Sequence, residues 1–262
     1  MRIVATVTAA SYQTSFSSGR TVPHVFKCEA FDGQDVGEYV VKMRNSIETH
    51  DAGLLREMLG NLLGHELGLT TAEPAIIKID PELADAITQR AVAEVVRNSP
   101  GLNYGSKNLT GGYTACPVGK ILPQSMINNA ADIFVFDALI QNPDRRVGKP
   151  NLLWKDDQLV IIDHEMAFSF LLSIVPSRNP WLLNEQPYLS NHVFFSELCH
   201  SDLELDRIAG AVDAIGNGFW EEAAAVTPDS WKGSEFMRIR THVEAVQQHL
   251  DTFMNEIRRV LR

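Results

Sequence analysis

Residues 124 to 141 constrain this chain most. They read as a helix that is apolar nearly all round, and such a helix has to be buried on every side. Its longest apolar run, around Ile133 to Ile140, is interrupted by Asp137 and stays well short of the ~18–20 apolar residues of a membrane helix. No other stretch comes closer, so no membrane partner is expected. With two long helices closing the chain and only a small strand pair between, the second part is expected to be helix-rich.

What precedes it has a different character. Ile3, Ala5 and Val7 alternate with polar neighbours, and Val25 to Ala30 and Glu38 to Met43 are two more short apolar runs. Asp32-Gly33 between the latter two is a hairpin signal. The opening therefore reads as an antiparallel sheet, with Ser17 to Arg20 a small-residue loop. Leu55, Leu59, Leu62, Leu63 and Leu67 recur at helical spacing, with Gly68 as the stop. Pro74 to Ile79 reads as a strand, 81 to 97 as one helix opened by a proline, and 101 to 109 as an extended stretch. Thr110-Gly111-Gly112 is the best linker. Leu152 to Trp154 and Leu159 to Ile162 read as two short strands, residues 172 to 192 as irregular, and two long helices close the chain. The last helix carries a stripe from Phe236 to Val260. The fold class is thus α+β in two lobes: residues 1–113, an antiparallel sheet with helix, and 114–262, mainly helical.

Composition narrows the function. With 23 Lys+Arg against 33 Asp+Glu the formal net charge is −10, which argues against direct nucleic-acid binding or an anionic membrane surface. Cys28, Cys116 and Cys199 are odd in number and far apart, with no disulfide framework and no metal knuckle. This fits a reducing compartment, and a cytoplasmic protein is expected.

The segment that carries chemistry follows the buried helix: NPDRRVGKPNLLW from Asn142 to Trp154, then an apolar strand that ends in Ile162-Asp163-His164-Glu165. One strand-end loop offers an aspartate and an asparagine, the next another aspartate. Such oxygen donors suit a hard divalent cation like Mg²⁺, and a carboxylate beside it can orient or deprotonate an attacking hydroxyl. Singly, each of these residues is ordinary turn chemistry. The order of buried helix, Asp loop, Asn, strand, turn, strand and Asp is that of a kinase catalytic loop followed by its metal-binding aspartate.

FDALIQNPDRRVGKPNLLW with LVIIDHEMAF resembles the HipA-like kinases, which share the architecture of protein and phosphatidylinositol kinases. EYVVKMR is similar to the strand carrying the nucleotide lysine, and REMLGNLLGHELGLTTAEPAIIKID to the family's glutamate helix and following strand. The resemblance implies a two-lobed kinase fold. It implies that ATP and Mg²⁺ are used and that Asp144 is the catalytic aspartate. Lys42 would contact the α/β-phosphates, held by Glu57, with Glu66 the rival, since Glu66 falls inside the leucine arc where a carboxylate needs a partner. Asn151 and Asp163 would bind Mg²⁺. By position, Ser18, Gly19 and Arg20 would lie over the phosphates, and Lys149 would offset charge near the γ-phosphate. The acceptor would be a Ser/Thr hydroxyl of an unidentified protein, and the resemblance allows a small regulatory partner protein. A pseudokinase that binds nucleotide or protein without transfer, and a lipid or small-molecule kinase, stay open as alternatives. The sequence departs from the pattern at several points: Arg146 stands where lipid kinases carry a histidine, and Asp163 is followed by His164-Glu165 in place of Phe-Gly. The Asp144–Asn151 span is longer than protein and lipid kinases carry, and the segment over the phosphates has a single glycine.

Overall fold

The opening three strands pair antiparallel, as expected, but they belong to a larger sheet that two later strands close. A computed structural model describes residues 4–16, 21–116, 122–173, 179–199 and 201–262. Ile3 and the 17–20 loop, with Ser18, Gly19 and Arg20, lie outside the described residues. Strands β1 (Ala5–Ser15), β2 (His24–Glu29), β3 (Asp35–Lys42), β4 (Pro74–Ile79) and β5 (Gly101–Lys107) form a closed barrel in the order β1-β2-β3-β5-β4. The closing pair is parallel: Ala5 to Thr8 run beside Ala75 to Lys78. From Thr8 onward the same strand pairs antiparallel with β2, with register shifts at Ala9/Ser11 and Tyr12/Thr14. Bulges of this kind bend a strand and increase its twist, which lets one long strand serve both neighbours. The expected antiparallel sheet is therefore corrected to a mixed, closed one. Its parallel contact joins strands far apart in sequence, which local patterning does not reveal.

The barrel core follows the period of two. Phe26 and Cys28, Tyr39 and Val41, and Ala75, Ile77 and Ile79 all point inward and are buried. The hairpin at Asp32-Gly33 forms, with Gly33 N–H donating to the Ala30 carbonyl at 2.9 Å. Residues 81–97 are not one helix. A 3-10 turn over Pro81–Ala86, capped by the Asp80 side chain, is followed by α2 (Arg90–Arg97), and Ile87 between them is extended. The break lets Ala84, Ile87, Ala93 and Val96 all reach the barrel core. The Cys28 thiol is pushed up to about 12 by burial, and all three cysteines are free.

Helix α1 (Asp51–Glu66) is followed by Gly68, whose φ of +79° is left-handed backbone that favours glycine. The 124–141 helix is a 3-10 turn followed by α3 (Ile127–Leu139), and Ala130 to Leu139 are buried without exception, as all-round apolarity demands. Strands β6 (Thr114–Ala115), β7 (Leu152–Lys155) and β8 (Gln158–Ile161) make a second, three-stranded sheet, of which β6 was not anticipated. The closing stripe is carried by two helices, Glu235–Gln248 and Leu250–Val260, interrupted at His249, whose ring lies against Trp181 at 3.6 Å between centroids. More helices precede them than the two long ones expected.

The fold is α+β. Two compact units are discernible, and both are discontinuous in sequence. The first holds Met1–Met58, Ala72–Thr110 and Ala224–Gly233; the second holds Leu59–Thr71, Gly111–Ala223 and Ser234–Arg262. No helix among the described residues is long and apolar enough to cross a membrane.

Candidate active site

In the first unit, Lys42 ends β3 on the face opposite Tyr39 and Val41, outside the barrel interior. A lysine there is ordinarily solvent-facing. Here it is buried and donates from Nζ to Glu57 Oε1 on α1. Glu57 is itself 1 % exposed, so two opposite charges have been taken out of water together. Such a pair is tolerated because each ion satisfies the other. Glu66, the other glutamate considered, is exposed in the last turn of α1. The leucine arc does not enclose it, because the helix ends at that residue.

In the second unit the polar segment is organised around a buried aspartate. Asp137 on α3 accepts from Arg145 Nε at 2.5 Å, from His192 Nε2 at 3.0 Å and from Asn142 Nδ2 at 2.9 Å. Asp137, Arg145 and His192 are all buried. Burial alone would raise the Asp137 carboxyl, but Arg145 and His192 outweigh it and hold the group below its usual range. His192 is pushed down, mainly by burial, and is neutral near pH 7. Its Nε2–H donates to Asp137 while Nδ1 accepts from Phe194 N–H at 3.3 Å.

Arg145 then reaches outward. Its Nη1 donates to the Asn151 carbonyl at 2.5 Å and the Ile162 carbonyl at 3.3 Å. One guanidinium thus fastens the start of β7 and the end of β8 to the loop between α3 and β7. The planar, multi-donor geometry of arginine suits this task, and lysine could not fill it. The sequence reading missed Arg145 and His192. The available signal was Asp137 itself, since a charge on the buried face of a largely apolar helix must have a partner.

On this framework stand four of the expected residues. Asn142 begins an Asx turn that Asp144 closes, the Asp144 N–H donating to Asn142 Oδ1 at 3.1 Å. Asn151 Nδ2 donates to Asp144 Oδ2 at 3.2 Å, and Lys149 Nζ to the same oxygen at 2.5 Å. Lys149 Nζ also lies 3.4 Å from Asp163 Oδ2. Burial would lower the Lys149 ammonium, but Asp163 and Asp144 prevail and hold it above the ordinary lysine value. Asn151 and Asp163 are both left-handed, with φ of +50° and +62°. Asn and Asp tolerate that region better than other side-chain-bearing residues, and such strain gathers at functional sites. A carboxylate oxygen of Glu165 lies within 4.8 Å of one of Asp163.

The packing behind Asp163 is tight. His164 is buried edge-on against Phe136, and a Cβ added at Gly60 of α1 would meet His164 Cβ at 2.5 Å. The clash is with the root of the imidazole side chain, which cannot swing away. Gly60→Ala is therefore expected to destabilise the protein by up to about 2 kcal/mol, since an overpacking penalty of about 1–3 kcal/mol is only partly offset by the ~1 kcal/mol gain in helix propensity. Urea denaturation measures the difference, and a Gly60→Ala variant as stable as the parent would contradict it.

The sequence matches the HipA-like kinases over residues 12–257, nearly the whole chain and every residue of the site just described. The chain belongs to the HipA-like kinase family. Membership makes it a kinase, that is, a phosphotransferase. No curated protein matches it. Among solved structures, a Helicobacter pylori proinflammatory kinase, CtkA, aligns with 99 % of this chain and 96 % of its own, at 14 % identity and a TM-score of 0.43. Within the HipA-like kinase described here, the loop that holds Asp144 and Asn151 and the strand end that holds Asp163 are thus tied together by Arg145. Lys42 and Glu57 form a separate buried pair in the other unit.

Proposed function

We propose that the protein is an ATP- and Mg²⁺-dependent kinase that transfers the γ-phosphoryl group to a Ser or Thr hydroxyl of another protein. The observation that carries this is the cluster of Asp144, Asn151, Lys149 and Asp163 on a framework fixed by Asp137 and Arg145. Phosphoryl transfer needs positioning and charge neutralisation more than covalent chemistry, and these residue types supply both.

The donor chemistry fits a divalent cation. The Asp163 carboxylate, its Glu165 neighbour and the Asn151 amide oxygen are all hard oxygen donors. Donation of the Asn151 amide nitrogen to Asp144 leaves the amide oxygen as the acceptor end. In this reading Asn151 and Asp163 hold Mg²⁺, which when bound neutralises charge on the phosphates. Asp144 orients the acceptor hydroxyl and takes its proton as the oxygen bonds to the γ-phosphorus, and the bond to the β–γ bridging oxygen breaks to release ADP. Lys42, held by Glu57, contacts the α/β-phosphates, and Ser18, Gly19 and Arg20 lie over them. Lys149 belongs to the nucleotide-facing set.

The reading includes a two-lobed kinase arrangement, residues 1–113 and 114–262, a cytoplasmic location, and an unidentified protein substrate with a small regulatory protein as a further partner. The net charge of −10 sharpens it. A polyanionic nucleotide has to be drawn in by local cations, and the acidic remainder suits a basic protein surface.

The test is ATP turnover and phosphate transfer to mixed Ser/Thr peptides, with wild type beside Asp163→Asn. Wild type is expected to transfer phosphate to Ser/Thr and to lose transfer in the variant. Equal turnover in the two proteins would remove Asp163 from the site. Nucleotide binding with no transfer to any acceptor would make the protein a pseudokinase instead.

A further inference from the structure

The long span from Asp144 to Asn151 has a structural product. Residues 146–149 make a tight turn in which Arg146 N–H donates to the Lys149 carbonyl at 3.1 Å and Lys149 N–H to the Arg146 carbonyl at 2.9 Å. Gly148 takes the left-handed position, with φ of +90°. The turn is braced from the 191–193 segment: Val147 N–H donates to the Asn191 carbonyl at 3.1 Å and Val193 N–H to the Arg145 carbonyl at 3.2 Å. The backbone under Lys149 is therefore fixed, and it delivers the ammonium to Asp144 Oδ2 at 2.5 Å and Asp163 Oδ2 at 3.4 Å.

We propose that Lys149 is a resident counter-ion of the Asp144–Asp163 carboxylates, which a divalent cation must displace in order to bind at Asp163. This rests on the reading of Asp163 as a metal ligand. Three features support it. A lysine ammonium and a divalent cation seek the same oxygens, and they repel each other at such a separation. The Lys149 side chain is 35 % exposed, so the ammonium has water to retreat into on a flexible stem while the braced turn stays in place. Arg146, the other cation of the turn, stands 3.9 Å from Asp144 and more than half exposed, so it is a weaker competitor. The lysine thus keeps two close carboxylates compatible in the unloaded protein and raises the metal concentration needed to load it.

Mn²⁺ serves as the probe, titrated into the full chain without nucleotide, with free Mn²⁺ read by electron paramagnetic resonance. Lys149→Met is expected to bind Mn²⁺ on the order of tenfold more tightly than wild type. Lys149→Arg, which keeps the charge, is expected to stay close to wild type. The gain is expected to vanish in the double variant Lys149→Met/Asp163→Asn. Equal or weaker Mn²⁺ binding by a folded Lys149→Met protein overturns the proposal, as does a gain that survives the loss of Asp163. Lys149→Gln, closer in size and polarity, gives the same reading if the Met variant fails to fold. ATP turnover by wild type, measured in parallel, reports on the kinase reading separately: turnover with unchanged Mn²⁺ affinity sinks the counter-ion role alone.

Discussion

Asp137→Ala is expected to lower stability by about 3–5 kcal/mol. The reason lies with what it leaves behind. Arg145 is fully buried, and Asp137 is the carboxylate that compensates it. Removing one member of a buried ion pair strands the other charge, which is far more destabilising than losing a surface pair worth about 0–1 kcal/mol. The Asn142 amide and the His192 imidazole lose an acceptor at the same time. Urea unfolding of the variant against wild type measures the effect. A loss below about 1 kcal/mol would mean that water reaches Arg145 and that the network is not sealed. Because Arg145 also holds the Asn151 and Ile162 carbonyls, the damage is expected to extend to the loop bearing Asp144.

Asp144→Asn is the second large expectation, and it concerns rate rather than stability. The substitution keeps shape and one acceptor oxygen but removes the charge that draws a proton from the acceptor hydroxyl. If Asp144 has that role, phosphoryl transfer is expected to fall by about 10²–10⁴-fold, the usual contribution of a positioned acid or base. Nucleotide affinity should hold, since the proposed phosphate and metal contacts are made by other residues. Single-turnover transfer and nucleotide titration separate the two. A fall in rate of less than about tenfold would exclude Asp144 as the base. Wild-type rate with weakened nucleotide binding would place it among the binding groups.

Much of this molecule was legible locally. The alternation at Phe26 and Cys28 and at Tyr39 and Val41, the Asp-Gly turn, and the leucine spacing of α1 each depend on near neighbours, and each forms as expected. Asp144, Asn151 and Asp163 stand on a loop and a strand end that Lys149 and Arg145 bring together. What was not legible is non-local. The parallel contact of β1 with β4 joins segments about seventy residues apart. His192 reaches Asp137 across fifty-five positions. No periodicity reports such meetings. The interruption at Ile87 was hidden for a related reason: it is tertiary packing on the barrel, and not propensity, that sets it. Glu66 was misread because a helical wheel has no ends, whereas α1 stops before its leucine arc can enclose that side chain.

The barrel has one more consequence. Where β1 and β4 pair, over Ala5 to Thr8 and Ala75 to Lys78, the barrel offers no free row of N–H and C=O groups to template strand-by-strand aggregation or to accept an added strand from another protein. The three-stranded sheet does have edges, at β6 and β8. A partner that contacts this closed seam therefore has to be recognised by side chains, through shape and charge, while the edges of the smaller sheet are open to backbone pairing.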